Sequence, residues 1–539
     1  MEHSRISVRD PRGRSHPGRF VRALAGGLVL ALTLVACGAD DDVPADTDVP
    51  DADEPDVDPD EDDEAADIAE PVGDTELVVS APQEPATWSW VDSAATALRV
   101  VVVINVVQPL LEEQEDGSVE PLLAESYEVS DDGLEYEFHL RDATFHDGSE
   151  LSASDVIYSL EFNRSSEQGE LRAVFDPVET IEEVDDRTVR ITLNRPSQRF
   201  LVGMAKDTGL IIPEGSSEDI GQQPIGTGPY TFDEWRPGTS VHLSLFEDYW
   251  DELPFFTDVT FRFIEDETAA INALLAGDQD AITQIVGEGI DRVASVEDTE
   301  GFARTSHSTM EFTYLSINAE VEKFDDERIR QAIAHAIDRQ PIFDAAFAGF
   351  GQPNCVFASP LGIPWDSDHC PYPYDPERSR ELLAEAGAEG MEIDFKFLTV
   401  AEFPPIMEVV TAQLTDVGFN VNTVGRELTT FLDEILNEPY DYEFTSLSGP
   451  QSIDAWSGGG WFTQYADEEF DNLLREADQA VDRDDWADLR REAVERYADA
   501  AYLIPVGNKE GLALHRDDLV GMKPYRGTSE FDLRGLEWD

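Results

Sequence analysis

Between Pro224 and Trp250 the chain reads PIGTGPYTFDEWRPGTSVHLSLFEDYW. Gly226, Gly228 and Pro229 bend the backbone tightly, and Tyr230, Phe232 and Trp235 then interleave with polar residues as a half-buried strand does. After a second turn at Pro237-Gly238, the alternation of Val241, Leu243 and Leu245 completes a hairpin packed on a sheet. The glycines are followed at once by proline and a strand, so they do not open a phosphate-binding helix. Taken alone, this pattern fits any β-rich domain.

Other phrases narrow the choice. Glu120 to Leu160 reads EPLLAESYEVSDDGLEYEFHLRDATFHDGSELSASDVIYSL, and Lys323 to Pro341 contains FDDERIRQAIAHAIDR. Pro373-Tyr374-Asp375-Pro376 precedes Leu382-Leu383-Ala384-Glu385-Ala386-Gly387, and Phe246-Glu247-Asp248-Tyr249-Trp250 follows the hairpin. In this wording and order the chain resembles the extracellular solute-binding proteins of family 5, the dipeptide, oligopeptide and nickel receptors of ABC importers. The resemblance runs from about Glu76 to the C-terminus. It implies an α/β fold of two lobes with two hinge crossings, the large family 5 variant of the type II periplasmic-binding-protein architecture. Lobe I takes 76–307 and is completed by 507–539; lobe II takes 308–506. The implied function is capture of a peptide or similar small polar solute between the lobes, closure, and delivery to the permease subunits of an ABC transporter. No cofactor is implied, and a monomer is expected.

Six arginines, from Arg5 to Arg22, precede an uncharged run from Ala23 to Ala36 that is too short to span a bilayer comfortably. Leu34-Val35-Ala36-Cys37 closes it as a bacterial lipobox does, so 1–37 reads as a lipoprotein signal peptide with Cys37 lipidated on the outer face of the cell membrane. A plain secretory signal with an incidental cysteine is the alternative. From Asp40 to Glu70 about half the residues are Asp or Glu and none is Lys or Arg, so 38–75 reads as an acidic linker that cannot bury a core. A calcium loop is disfavoured there because the D-x-[DN]-x-[DN]-G spacing is missing.

Alternating patterns predict strands over Tyr127 to Leu140 and Thr188 to Leu193, with a helix starting near Ser152 or Ser154; His146 beside Asp147-Gly148 reads as a turn residue. Val100 to Leu111 reads as buried strands or an apolar helix. Asp325 or Asp326 caps a helix whose apolar face carries Ile329, Ala332, Ile333, Ala336 and Ile337, and Pro341 breaks or restarts it. Helices over Asp375 to Gly387 and Phe403 to Gly418 alternate with strands over Met391 to Leu398 and Phe419 to Val424, a βα order that gives the second lobe its own sheet. Tyr440 to Phe462 reads as a loop, Phe470 to Ala500 as helix, and Tyr502 to Pro505 as a closing strand.

In peptide-binding relatives a W-x-x-D-x-x-D-P phrase lies at the cleft, and its first aspartate holds the peptide's free amine. Matching Asp454 to the later aspartate places Ser448 at the tryptophan and Gln451 at the amine anchor, so the counter-charge to an ammonium is missing. The candidate ligand-binding residues are Trp88, Trp90, Asn105, Gln451, Asp454, Trp456 and Trp461. For each tryptophan, stacking on a ligand competes with core packing. Cys355 and Cys370 pair most simply as a disulfide in an exported protein, with a metal site beside His369 as the runner-up. The nine histidines are scattered, which disfavours a nickel site.

An exported, lipid-anchored hydrolase such as a glycosidase is the alternative function, because a carboxylate pair across a cleft has no sequence signature. H-E-x-x-H, G-x-S-x-G and Walker motifs are all absent. The formal net charge of -78 excludes nucleic acid, which needs clustered Lys and Arg. The same charge repels itself in dilute buffer, and salt shortens the Debye length from roughly 8 Å at physiological strength to about 3 Å at molar strength. A halophilic protein is therefore expected: its melting temperature rises as sodium chloride goes from dilute to molar, and a flat or falling calorimetric trend contradicts this.

Overall fold

The computed structural model describes residues 75–539 apart from 82, 94, 115–116, 167, 286–288, 358–368, 400–401, 438–442, 451–452, 460–462 and 523–529. The signal peptide, Cys37 and all but the end of the acidic linker lie outside the described residues, as do Gln451 and Trp461.

The hairpin forms as its alternation dictates. Tyr230–Arg236 pairs antiparallel with Ser240–Leu245, burying Tyr230, Phe232, Val241 and Leu243 on one face. Ser240–Leu245 then pairs with Asp258–Phe263, which lies parallel to Glu76–Ala81, itself parallel to Ala281–Ile285. The turn before the hairpin lies against the 105–107 backbone. A Cβ at Gly226 would come within 2.2 Å of Val106 O, and one at Gly228 within 2.4 Å of Asn105 O, so no side chain fits at either position. Val100 to Leu111 is neither a strand nor a helix throughout. It holds the end of the short helix Thr96–Val101, then tight turns through Ile104 at φ +70°, and only then the start of the strand Leu111–Glu113. Its apolar character reports burial on every side, which has no periodicity to read.

Lobe I carries a second module. Ala124–Val129, Glu135–Leu140, Thr188–Leu193 and Val178–Asp185 form a four-stranded antiparallel sheet in that order. Helix Ala153–Arg164 starts after Ser152, whose backbone N–H donates to Asp155 Oδ2 at 2.9 Å. Phe138, Phe145, Val156, Leu160 and Phe200 share this module's core, separate from the hairpin's.

Two strands hold the lobes together. Phe302–Ile317 and Leu503–Arg516 run antiparallel through one continuous sheet, from a lobe I neighbour, Ala281–Ile285, to a lobe II neighbour, Phe444–Pro450. Their register slips between Ser308 and Phe312 and again between Thr313 and Tyr314, where Gly507, the partner of Thr313, has φ +151°. Beyond the slips, lobe II is three layers. Asn420–Arg426, Glu392–Leu398 and Phe444–Pro450 extend the sheet. Helices Glu327–His335, Gln340–Ala346, Pro376–Ala386 and Phe403–Val417 bury Ile333, Phe343, Leu383 and Leu414 against one face. On the other face, helices Glu468–Asp478 and Arg483–Asp499 bury Phe470, Leu474, Val494 and Tyr497.

Helix ends follow local chemistry. Asp326 accepts from Arg328 N–H at 3.0 Å, and Gly387 and Gly418 stop their helices in the left-handed region. Two expectations are corrected. Phe470 to Ala500 is two helices, because the Asp482 carboxylate accepts from the N–H groups of Asp484 and Asp485 and starts a new one. Tyr440 to Phe462 is not all loop, since Phe444–Pro450 is an inner strand between Glu392–Leu398 and Phe302–Ile317. Thr445 and Ser446 there are fully buried yet polar, so they gave no apolar signal. Cys355 and Cys370 are joined in a disulfide with Cα atoms 5.4 Å apart.

His146 sits in its turn and also pins the glycine-rich one. With the proton on Nε2, the ring donates to Gly228 O at 2.9 Å and accepts from Gly226 N–H at Nδ1, 3.3 Å away. Burial pushes its pKa down to about 4, against the smaller raising effects of Gly228 and Asp147. The folded value thus lies below the ordinary 6.5, so the unfolded chain takes up the proton first. The neutral ring's contribution is complete above about pH 6.5 and is lost as pH falls towards 4, up to roughly 3 kcal/mol. Urea midpoints should fall over that window in the native chain and fall less steeply in His146→Gln; identical slopes would remove the assignment.

Candidate functional site

Lobe II faces lobe I with the segment Ile453–Gly459, a 3-10 turn kinked at Ser457 and at Gly458, where φ is +70°. Trp456 is 5% exposed, its ring 5.0 Å from Tyr497 and 5.1 Å from Phe357. It therefore anchors the turn on the helical face of the lobe. Asp454, two residues earlier, keeps 30% of its side chain exposed and lies at the boundary between lobes.

Two guanidinium groups hold that carboxylate. Arg490, from the helix Arg483–Asp499 of the same lobe, donates from Nη2 to Oδ2 at 3.0 Å. Arg199, from the helix Gln198–Gly203 of lobe I, places Nη2 3.4 Å from Oδ1. Burial pushes the Asp454 pKa up, but Arg490 and then Arg199 outweigh it and hold the carboxyl below its ordinary value. Two cations to one anion leave the set net positive, and an ammonium reaching Asp454 would have to displace a guanidinium. Neither arginine stood out in the sequence. Each is an ordinary helix-surface residue until the fold brings 199, 454 and 490 together.

The remaining candidates are dispersed. Trp88 is fully buried in the hairpin core, with its ring 5.3 Å from Phe232 and 5.7 Å from Trp235. Trp90 is 1% exposed and donates from Nε1 to Asn163 Oδ1 at 2.9 Å; Asn163 in turn donates to the carbonyls of Thr208 and Leu210. Asn105 is fully buried and holds the C-terminal tail: Nδ2 donates to Phe531 O at 2.8 Å, and Oδ1 accepts from Leu533 N–H at 3.1 Å. All three sit among lobe I framework atoms, away from Asp454 and Trp456, which share the Ile453–Gly459 turn of lobe II. At the crossing, Asn354 Nδ2 donates to Asn508 Oδ1 at 3.1 Å, while Asn508 Nδ2 is buried without a partner among the described residues. No group of three His, Cys, Asp or Glu among the described residues is placed to hold a metal. His369 pairs with Asp499 at 2.6 Å.

Known proteins share this architecture. The chain is similar to heme-binding protein A of Haemophilus influenzae, 28% identical over 73% of this chain and 80% of that protein. It is also similar to the glutathione-binding protein GsiB of Salmonella typhi, 34% identical over 54% of this chain and 58% of that one. Among solved structures, the substrate-binding protein CtaP of Listeria monocytogenes superimposes with a TM-score of 0.77 at 24% identity, covering 86% of this chain and 99% of that one, a likeness of fold. Residues 118–468 match the model of the bacterial extracellular solute-binding proteins, family 5 Middle. Two separately cored lobes on two shared strands, and a match over most of the described residues, make this chain a member of the family 5 extracellular solute-binding proteins, which bind for transport and are not enzymes.

Proposed function

We propose that this protein is the membrane-anchored receptor of an ABC importer, capturing a peptide or similar small polar solute between its lobes and handing it to the permease. The observation that carries the reading is the connection between lobes: separate cores, joined through two long strands whose register slips at Ser308 to Phe312. Two strands permit a hinge and resist free swivelling, so a solute bridging both lobes selects the closed shape. The lobes divide at 307/308 and again at 506/507. On this reading Asp454 and Trp456 belong to the lobe II side of the solute site, and Gln451 and Trp461 flank them in sequence. An ammonium-anchored peptide is disfavoured, because Asp454 is already held by two guanidinium groups. The names of the two curated relatives widen the candidates to a tripeptide thiol and a porphyrin.

Ahead of the lobes, lipid on Cys37 anchors the chain outside the cell, and the acidic linker holds the lobes off the membrane as a monomer. Detergent-phase partitioning of the native chain, lost in Cys37→Ser, is the expected result; equal partitioning of both would remove the anchor.

Thermal-shift screening in molar salt against peptides, glutathione, haem, oligosaccharides and amines tests the receptor. A true solute at a hundred times its Kd stabilises by about 2.7 kcal/mol, giving a saturable rise in melting temperature, and is recovered unchanged. Chemical turnover of the solute would overturn the reading in favour of the hydrolase.

A further inference from the structure

At the break at 479–482, within what reads as one helix, the lobes touch away from their connecting strands. Gln198 Nε2 of lobe I donates to Ala480 O at 3.0 Å and to Val481 O at 3.1 Å. Beside it, Asp478 Oδ1 accepts from Ser197 Oγ at 3.1 Å and from Arg199 N–H at 3.2 Å. Arg199 also reaches Asp454, as described above. Val481, 48% exposed, lies against the turn at Gly133, where a Cβ would come within 3.0 Å of its Cγ2. Residues 197–199 and 478–481 are some 280 positions apart in sequence, and they belong to the four-stranded module and to the outer helical layer of lobe II. Neither group lies on the strands that connect the lobes.

We infer that Ser197, Gln198 and Arg199, meeting Asp454, Asp478 and the Ala480-Val481 turn, form an interlobe latch that sets the open–closed balance before any solute arrives. The inference rests on the hinge proposed above. Asp478 is suited to the task because one carboxylate oxygen collects two donors from the other lobe. The bonds sit at a partly wetted rim, with Arg199 43% and Asp454 30% exposed, so the contact breaks and re-forms without a large penalty. Lobe I supplies Asp454 with a cation of its own, so closing does not require the solute to bring one. Apparent solute affinity then includes the fraction of closed protein, which the latch raises.

The test needs no solute. The ligand-free chain carrying Cys37→Ser is spin-labelled at Val184→Cys and Tyr374→Cys, both exposed and one in each lobe, and the distance between labels is measured by pulsed resonance. The latched protein should show mainly the short distance. Combining Asp478→Ala with Gln198→Ala should raise the long-distance fraction about tenfold, as expected from losing a small set of net hydrogen bonds. Its melting temperature should stay within a few degrees, because neither residue belongs to a core. A merely structural role would lower the melting temperature and leave the distances alone. Equal distance distributions in both proteins would overturn the latch, whether they are broad or narrow. If a solute that raises the melting temperature of the double variant fails to shift its distances towards the short one, the hinge falls as well.

Discussion

Pairing between Phe302–Ile317 and Leu503–Arg516 is the constraint on which the rest of the molecule depends. One antiparallel ladder runs from the hairpin sheet of lobe I into the three-layered lobe II, so both lobes share a sheet without sharing a core. A β ladder is stiff along its strands but gives way where its register does. Here slips fall between Ser308 and Phe312 and between Thr313 and Tyr314, and at the second Gly507, the partner of Thr313, takes a backbone conformation that other residues resist. The break in pairing and the gap between cores therefore coincide.

What closes over that hinge is polar. Asp454 is a lobe II carboxylate flanked by Arg490 from its own lobe and Arg199 from the other, and its lowered pKa reports their attraction winning over burial. Asp478 adds a second carboxylate, engaged by a hydroxyl and a backbone amide across the same boundary. In a chain with a net charge of -78, unpaired carboxylates facing one another would keep the lobes apart, so pairing these two with donors of lobe I is what lets the surfaces meet. The described candidate tryptophans share none of this work. Trp88 and Trp90 fill the hairpin lobe, and Trp456 seats its turn on Tyr497 and Phe357.

Much of the architecture was legible because it rests on short-range rules. The hairpin announced itself by alternation between two turns, and the helices at Glu327–His335, Pro376–Ala386 and Phe403–Val417 by capping aspartates, prolines or terminal glycines. Phe444–Pro450 reads as loop because an inner strand lined by Thr445 and Ser446 carries no apolar pattern. The helix break at 479–482 is hidden in the sequence because Asp482 acts as a cap only when the chain leaves the helix there, and nothing local forces it to.

From its sequence alone the chain determined its class: order and wording of local phrases, governed by residues a few positions apart, specify two α/β lobes of a solute-binding protein. Tertiary structure alone decided what Asp454, Asn105 and Arg199 do. Their partners lie at Arg490, at the C-terminal tail and across the lobe boundary, and such pairings arise from how separately folded layers are brought together, which leaves no periodic trace along the chain.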